Sequence, residues 1–144
     1  MGAGRRGFTL IEVLIALALA GLFVGAGAYS LHRIGPGLHL RAGIWAVTSG
    51  LGQARFRAIM SGEPVRVRFF PSGFVLERFD EMAGVWRPAR TAVLSGVTVR
   101  ANNAPVFHPQ GTVSGLATVT VANARGGYRI TVAITGRIKT VKIG

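Results

Sequence analysis

The chain has 144 residues and a formal net charge of +12, from 17 Lys+Arg against 5 Asp+Glu, and it contains no cysteine. That length holds one domain of ordinary size, the absent thiols exclude a disulfide scaffold and a thiolate metal centre, and the charge favours acidic or polyanionic partners. His32, His39 and His108 are scattered, and Glu63, Glu77, Asp80 and Glu81 fall mostly in or near predicted turns. No catalytic pair, metal cluster or cofactor motif stands out, so the pattern argues against an enzyme.

Arg5 and Arg6 precede a long apolar run in which, over the 24 residues from Phe8 to Leu31, Glu12 is the only charged one. At about 1.5 Å per residue a helix of that length spans roughly 36 Å, enough to cross a hydrocarbon core with some tilt. The basic flank predicts a cytoplasmic N-terminus. Glu12 is out of place there: an acidic residue near a bilayer centre costs about 2.5–3.5 kcal/mol, and less toward the edge. A carboxylate in such a place is normally kept for a partner. Cleavage after Gly7 would create a new α-amino group on Phe8, and a neighbouring subunit could present that amine to Glu12. The chain's own amine would be held about a turn away. An ordinary secretory signal, cut near Ala18 or Ala20, and a plain single-pass anchor are the competing readings of the same residues.

Gly7-Phe8-Thr9-Leu10-Ile11-Glu12-Val13-Leu14 resembles the class III signal of type IV pilins and type II secretion pseudopilins. The resemblance implies that a prepilin peptidase/methyltransferase cuts after Gly7 and methylates Phe8. It further implies that Glu12 pairs with the amine of another pilin or pseudopilin subunit during filament assembly. The expected organisation is a leader over 1–7 and a transmembrane helix over 8–34 in the bacterial inner membrane. A periplasmic domain over 38–144 follows, with its helix at 38–61 and its β-sheet at 65–143.

Beyond the apolar run, Gly35-Pro36-Gly37 predicts a kink or a short melted segment. A second helical stretch runs from Leu38 to Met60, with Leu40, Ile44, Val47, Leu51, Ala54 and Ala58 forming one apolar stripe at steps of four and three. Arg41, Thr48 and Arg55 share another face. Gly43, Gly50 and Gly52 each weaken the helix by roughly 1 kcal/mol, so tertiary packing must hold it. Gly62-Glu63-Pro64 ends it.

From Val65 the period changes to two. Val65, Val67 and Phe69 alternate with Arg66 and Arg68, and Pro71-Ser72-Gly73 turns into Phe74–Phe79, which predicts a hairpin with a basic outer face. Asp80 to Arg90 reads as a longer loop, Val93–Arg100 as a strand region, and Phe107–Gly111 as a turn. The tail offers Ala117–Val121, a turn at Asn123–Gly127, Tyr128–Ile134 with its alternate residues on one face, and Arg137–Ile143. These three strands predict an antiparallel meander over the helix stripe. The fold class is α+β, a long N-terminal helix packed on an antiparallel sheet.

This order resembles the GspH/FimT branch of the pilin-like proteins, as do Phe107, Pro109 and Gly111 followed by a hairpin closing on Gly136-Arg137-Ile138. It implies a minor pseudopilin of a type II secretion system, with a FimT-like minor type IV pilin as the alternative. No acidic residue follows Glu81, whereas Arg87, Arg90, Arg100, Arg125, Arg129, Arg137, Lys139 and Lys142 all do. FimT-like proteins are associated with DNA uptake through a Gly-Arg-x-Arg-type element, and Gly136-Arg137-Ile138-Lys139 approaches it with Lys in the last place. Arg125, Arg129, Arg137, Lys139 and Lys142 are therefore the candidate contacts to DNA or to an acidic partner protein. Lysine keeps the charge but lacks the planar guanidinium fork.

Overall fold

The computed structural model describes residues 9–143, with side chains for all of these but 28–34. One helix, α1, runs over Leu10–Ser61 and carries Pro36 inside it. The helix runs unbroken through Gly35-Pro36-Gly37, so the short melted segment, one of the two expectations there, is absent. Proline's fixed φ is itself helical, so it removes one hydrogen bond and crowds the carbonyl four residues back without unwinding the turn. Asn123 Nδ2 also donates to the Pro36 carbonyl at 2.7 Å, which ties that turn to the tail of the domain. The chain divides into two compact units, Met1–Gly35 and Pro36–Gly144.

In the second unit α1 ends as its sequence predicts. Gly62 takes a positive φ of 71° and its N–H donates to the Ala58 carbonyl at 3.1 Å, a left-handed cap that glycine adopts without strain. Nine strands follow: β1 (Val65–Phe70), β2 (Gly73–Asp80), β3 (Val85–Val93), β4 (Thr98–Ala101), β5 (Val106–Phe107), β6 (Val113–Ser114), β7 (Thr118–Asn123), β8 (Gly126–Val132) and β9 (Ile138–Ile143). They form two antiparallel sheets, β3-β2-β1-β5-β6 and β4-β7-β8-β9. The β7-β8-β9 meander is present as expected.

Four local expectations are corrected. Residues read as a loop from Asp80 to Arg90 contain most of β3, paired along β2 from Val85 to Val93. Nearly all of β3 is exposed, so it lacks the alternation that marks a strand. Pro88 sits on that edge strand beside a register shift at Leu76/Glu77, a place where its missing donor does no harm. The region 93–100 is split: β3 stops at Val93 and β4 starts at Thr98, with Gly96 at φ +70° between them. Strand β8 ends at Val132, and Ile134 is 63% exposed, because Ala133 opens a turn whose N–H donates to the Arg137 carbonyl at 2.9 Å. The hairpin's outer face is the fourth correction, described below with its charges.

One core joins both sheets to the helix. Leu40, Val47, Leu51, Ala54 and Ala58 are buried with Ile44 packed beside them, against Val67, Leu76 and Phe107 of the first sheet and Val99, Val119, Val121, Ile130 and Val132 of the second. Gly50 explains why a weak helix former stands in this stripe. A Cβ there would lie 2.4 Å from the Phe74 ring, so glycine lets β2 come against the helix.

Candidate functional site

The N-terminal residues were expected to carry processing and assembly. Gly7 and Phe8 lie outside the described residues. Glu12 is described, and it has a local partner that the sequence analysis missed. Its carboxylate Oε2 accepts from the Thr9 backbone N–H at 3.4 Å, while its own N–H donates to Thr9 Oγ1 at 3.3 Å. This is a reciprocal capping box, signalled by Thr-x-x-Glu ahead of an apolar run, with the acid also favoured by the helix dipole. From it the segment Leu10–Gly27 is long and apolar enough to cross a membrane.

The second unit presents three surfaces. The first is the outer face of the β1–β2 hairpin, expected to be basic. Glu77 lies mid-strand in β2, inside the strand expected over Phe74–Phe79, but it is only 4% exposed, a burial the alternation did not signal. Its carboxylate accepts from Arg66 Nε at 2.7 Å on one oxygen and from Arg68 Nη2 at 2.9 Å on the other. The Arg66 guanidinium also lies 4.4 Å from the centre of the Trp86 ring. Nearby, Arg87 Nε donates to Asp80 at 2.6 Å, and Arg78 Nε stands 3.3 Å from Glu63 in a looser ion pair. The Ala83 backbone N–H and then Arg87 hold the Asp80 carboxyl below its ordinary pKa. This sheet neutralises its own arginines.

The second surface is the outer face of the other sheet. Register places Arg100, Thr120, Arg129 and Val141 in one row across β4, β7, β8 and β9. Thr118, Thr131 and Lys139 make the adjacent row. Of the five basic residues named from sequence, Arg129 and Lys139 therefore share this face. Arg125 is in the β7–β8 turn and Arg137 in the β8–β9 turn, at opposite ends of β8 and about 20 Å apart by strand rise. Lys142 pairs with Tyr128 on the side that faces the core. The five do not form one patch. Arg100 joins the face only through strand pairing, which no local motif in the sequence signals.

The third surface is on α1. Leu38, Ala42, Trp45, Ser49, Gly52, Phe56 and Ile59 recur at steps of four and three, and every one is exposed. Trp45 is 74% and Phe56 64% exposed. This stripe lies opposite the buried one, so α1 is apolar on two faces and its own domain covers only one. At the helix end it borders a cleft of about 530 Å³ floored by Phe56, Met60, Val65 and Pro88. Elsewhere His108 Nε2 lies 2.8 Å from Ser114 Oγ, a clasp across the β5–β6 hairpin in which no carboxylate among the described residues orients the imidazole. No cluster of His, Cys, Asp or Glu fit to hold a metal occurs among the described residues.

Two family patterns match this chain. The prokaryotic N-terminal methylation motif covers residues 2–28, and Type II transport protein GspH covers residues 46–136, well over half of the sequence. The chain belongs to the GspH family. GspH-type architecture also appears in solved structures. The minor pseudopilin EpsH of the type 2 secretion system of Vibrio cholerae superposes with a TM-score of 0.62 at 14% identity, over 72% of this chain and 97% of that one. A second EpsH structure gives 0.58 at 15% identity over 72% and 94%. The type IV minor pilin FimU of Pseudomonas aeruginosa gives 0.58 at 16% identity over 71% and 87%. At these identities the likeness is one of fold, and it confirms the α+β, pilin-like plan of this GspH-family chain. No curated protein sequence matches it.

Proposed function

We propose that the protein is a minor pseudopilin, a structural subunit of the type II secretion pseudopilus that serves protein export across the outer membrane. In this reading residues 8–34 hold it in the inner membrane, with the N-terminus in the cytoplasm and residues 38–144 in the periplasm. A prepilin peptidase removes residues 1–7 after Gly7 and methylates Phe8, and Glu12 takes the amine of a neighbouring subunit. Membership of the GspH family supports the secretion machine. A type IV pilus subunit has weaker support, from the fold shared with FimU and from the partial Gly136-Arg137-Ile138-Lys139 element.

The observation that carries an assembly role is the exposed 4–3 stripe on α1, from Leu38 to Ile59. Large side chains at Leu38, Trp45 and Phe56 alternate with small ones at Ala42, Ser49 and Gly52, the relief that a second helix fits. Fully burying such a side chain is worth about 1.5–3 kcal/mol, so two of them decide whether a helix stays docked.

Co-purification from membranes that carry the complete secretion gene set tests this. Trp45→Ser with Phe56→Ser should reduce recovery of other pseudopilin subunits at least tenfold, while the melting temperature of the chain holds or rises. Undiminished recovery would overturn the helix-face reading. Intact mass should give a mature chain that begins at Phe8 and carries one methyl group. A terminus at Leu19 or Gly21 would overturn the processing.

A further inference from the structure

The outer face of the second sheet is a different surface from the helix stripe, with different chemistry. Arg100 and Arg129 stand two strands apart, about 10 Å, on either side of Thr120. A shallow depression of about 700 Å³ runs over Arg100, Asn102, Thr118, Thr120, Arg129 and Thr131. Neither arginine has an ion pair or side-chain hydrogen bond among the described residues. Lys139 adds a third cation from β9. We propose that this face docks a carboxylate-bearing surface of a protein other than this chain.

The chemistry of the face selects that partner. A guanidinium binds a carboxylate through two parallel hydrogen bonds, and threonine hydroxyls beside it can donate to the remaining lone pairs. No aromatic ring lies in these two rows, so the face has nothing on which the bases of a single strand would stack. Exposed Val141 at the end of the arginine row supplies apolar contact, and arginine with apolar neighbours is the composition that protein interfaces favour.

A second copy of the chain lacks the matching acids. Glu77 is held by Arg66 and Arg68, Asp80 by Arg87, and Glu63 by Arg78. Glu12 lies in the apolar run, and no Asp or Glu follows Glu81. Glu81 is then the one side-chain carboxylate of residues 36–143 without an ion pair, too little to satisfy Arg100, Arg129 and Lys139 together. The acids must come from another sequence.

The test uses the full-length chain in detergent micelles and fluorescent poly-L-glutamate as the probe. Arg100→Gln with Arg129→Gln should weaken binding at least tenfold. The charge-matched pair Arg137→Gln with Lys142→Gln, off the arginine row, should change it less than twofold. Equal losses in the two pairs would reduce the effect to net charge and overturn the proposal. Should the glutamine pair unfold, Arg100→Lys with Arg129→Lys keeps the charge and loses the fork. Binding should then fall at least threefold, and unchanged binding would again overturn the proposal. Duplex DNA bound more tightly than poly-glutamate, through the same two arginines, would make the ligand a phosphate backbone instead. Self-association abolished by the glutamine pair would make it a second copy. Trp45→Ser with Phe56→Ser should leave poly-glutamate binding intact, so failure of the filament reading and failure of this one are separate results.

Discussion

The two sheets treat arginine in opposite ways. In the first, Arg66, Arg68, Arg78 and Arg87 each face a carboxylate of the same sheet or of the turn beside it, and Arg90 reaches Gln53 on α1 at 2.6 Å. In the second, residues 98–143 contain no carboxylate side chain, and Arg100, Arg129 and Lys139 stand in solvent. A net charge of +12 says nothing about this division. One sheet uses cations to hold itself together, and the other keeps them for something outside. The same residue type is part of the fold in one place and a handle in the other, and the difference lies in where the few acids are spent.

Substitution can break that contrast, and the largest effect belongs to Glu77. Glu77→Gln leaves Arg66 and Arg68 without their counter-charge, and urea unfolding should show a loss of about 1–3 kcal/mol, below the buried-pair value because both arginines reach solvent. An unchanged midpoint would mean that the first sheet does not depend on its ion pairs. A smaller effect follows from Asp80. Its carboxyl is held below the ordinary value by the Ala83 N–H and by Arg87, so its contribution is complete above the unfolded carboxylate pKa and is lost as pH falls through the lower folded one. Thermal melts from pH 6 down to about pH 3 should therefore fall less steeply for Asp80→Asn than for the parent. Identical slopes would remove Asp80 from the account. The smallest effect is the most informative for the contrast: Arg100→Gln with Arg129→Gln should move stability by no more than about 0.5 kcal/mol. A loss well beyond that would make these two arginines structural, and the sheets would no longer differ in kind.

The legible parts of the chain were those where a period meets a single environment. The helix stripe from Leu40 to Ala58 and the β7-β8-β9 meander each bury one face, and alternation announces both. Strand β3 buries neither face and carries Pro88, so nothing in its sequence separates it from a loop. The strand that holds Glu77 was legible but its burial was not, because its partners are arginines of a neighbouring strand and register is invisible before pairing is known. Arg100 was passed over for the same reason, since only β7 brings it beside Arg129. The second stripe on α1 could have been counted from Leu38 to Ile59. Ala42, Ser49 and Gly52 dilute it, so it stands out less than the stripe that the domain buries in its own core. The Thr9–Glu12 cap was also readable, from a threonine three residues ahead of a glutamate at the start of an apolar run.

That cap gives Glu12 an attachment within its own chain. The carboxylate of Glu12 already accepts from the Thr9 N–H at the start of its own helix, through one contact of 3.4 Å that lies beyond the long end of the hydrogen-bond range. In the proposed pairing, an arriving amine competes with this internal ligand, and the gain on arrival is the difference between the two attachments. Such an exchange has a shallow gradient in both directions. On that proposal a subunit exchanges a loose tether of its own for a neighbour's, and can take up or release the neighbour at little cost.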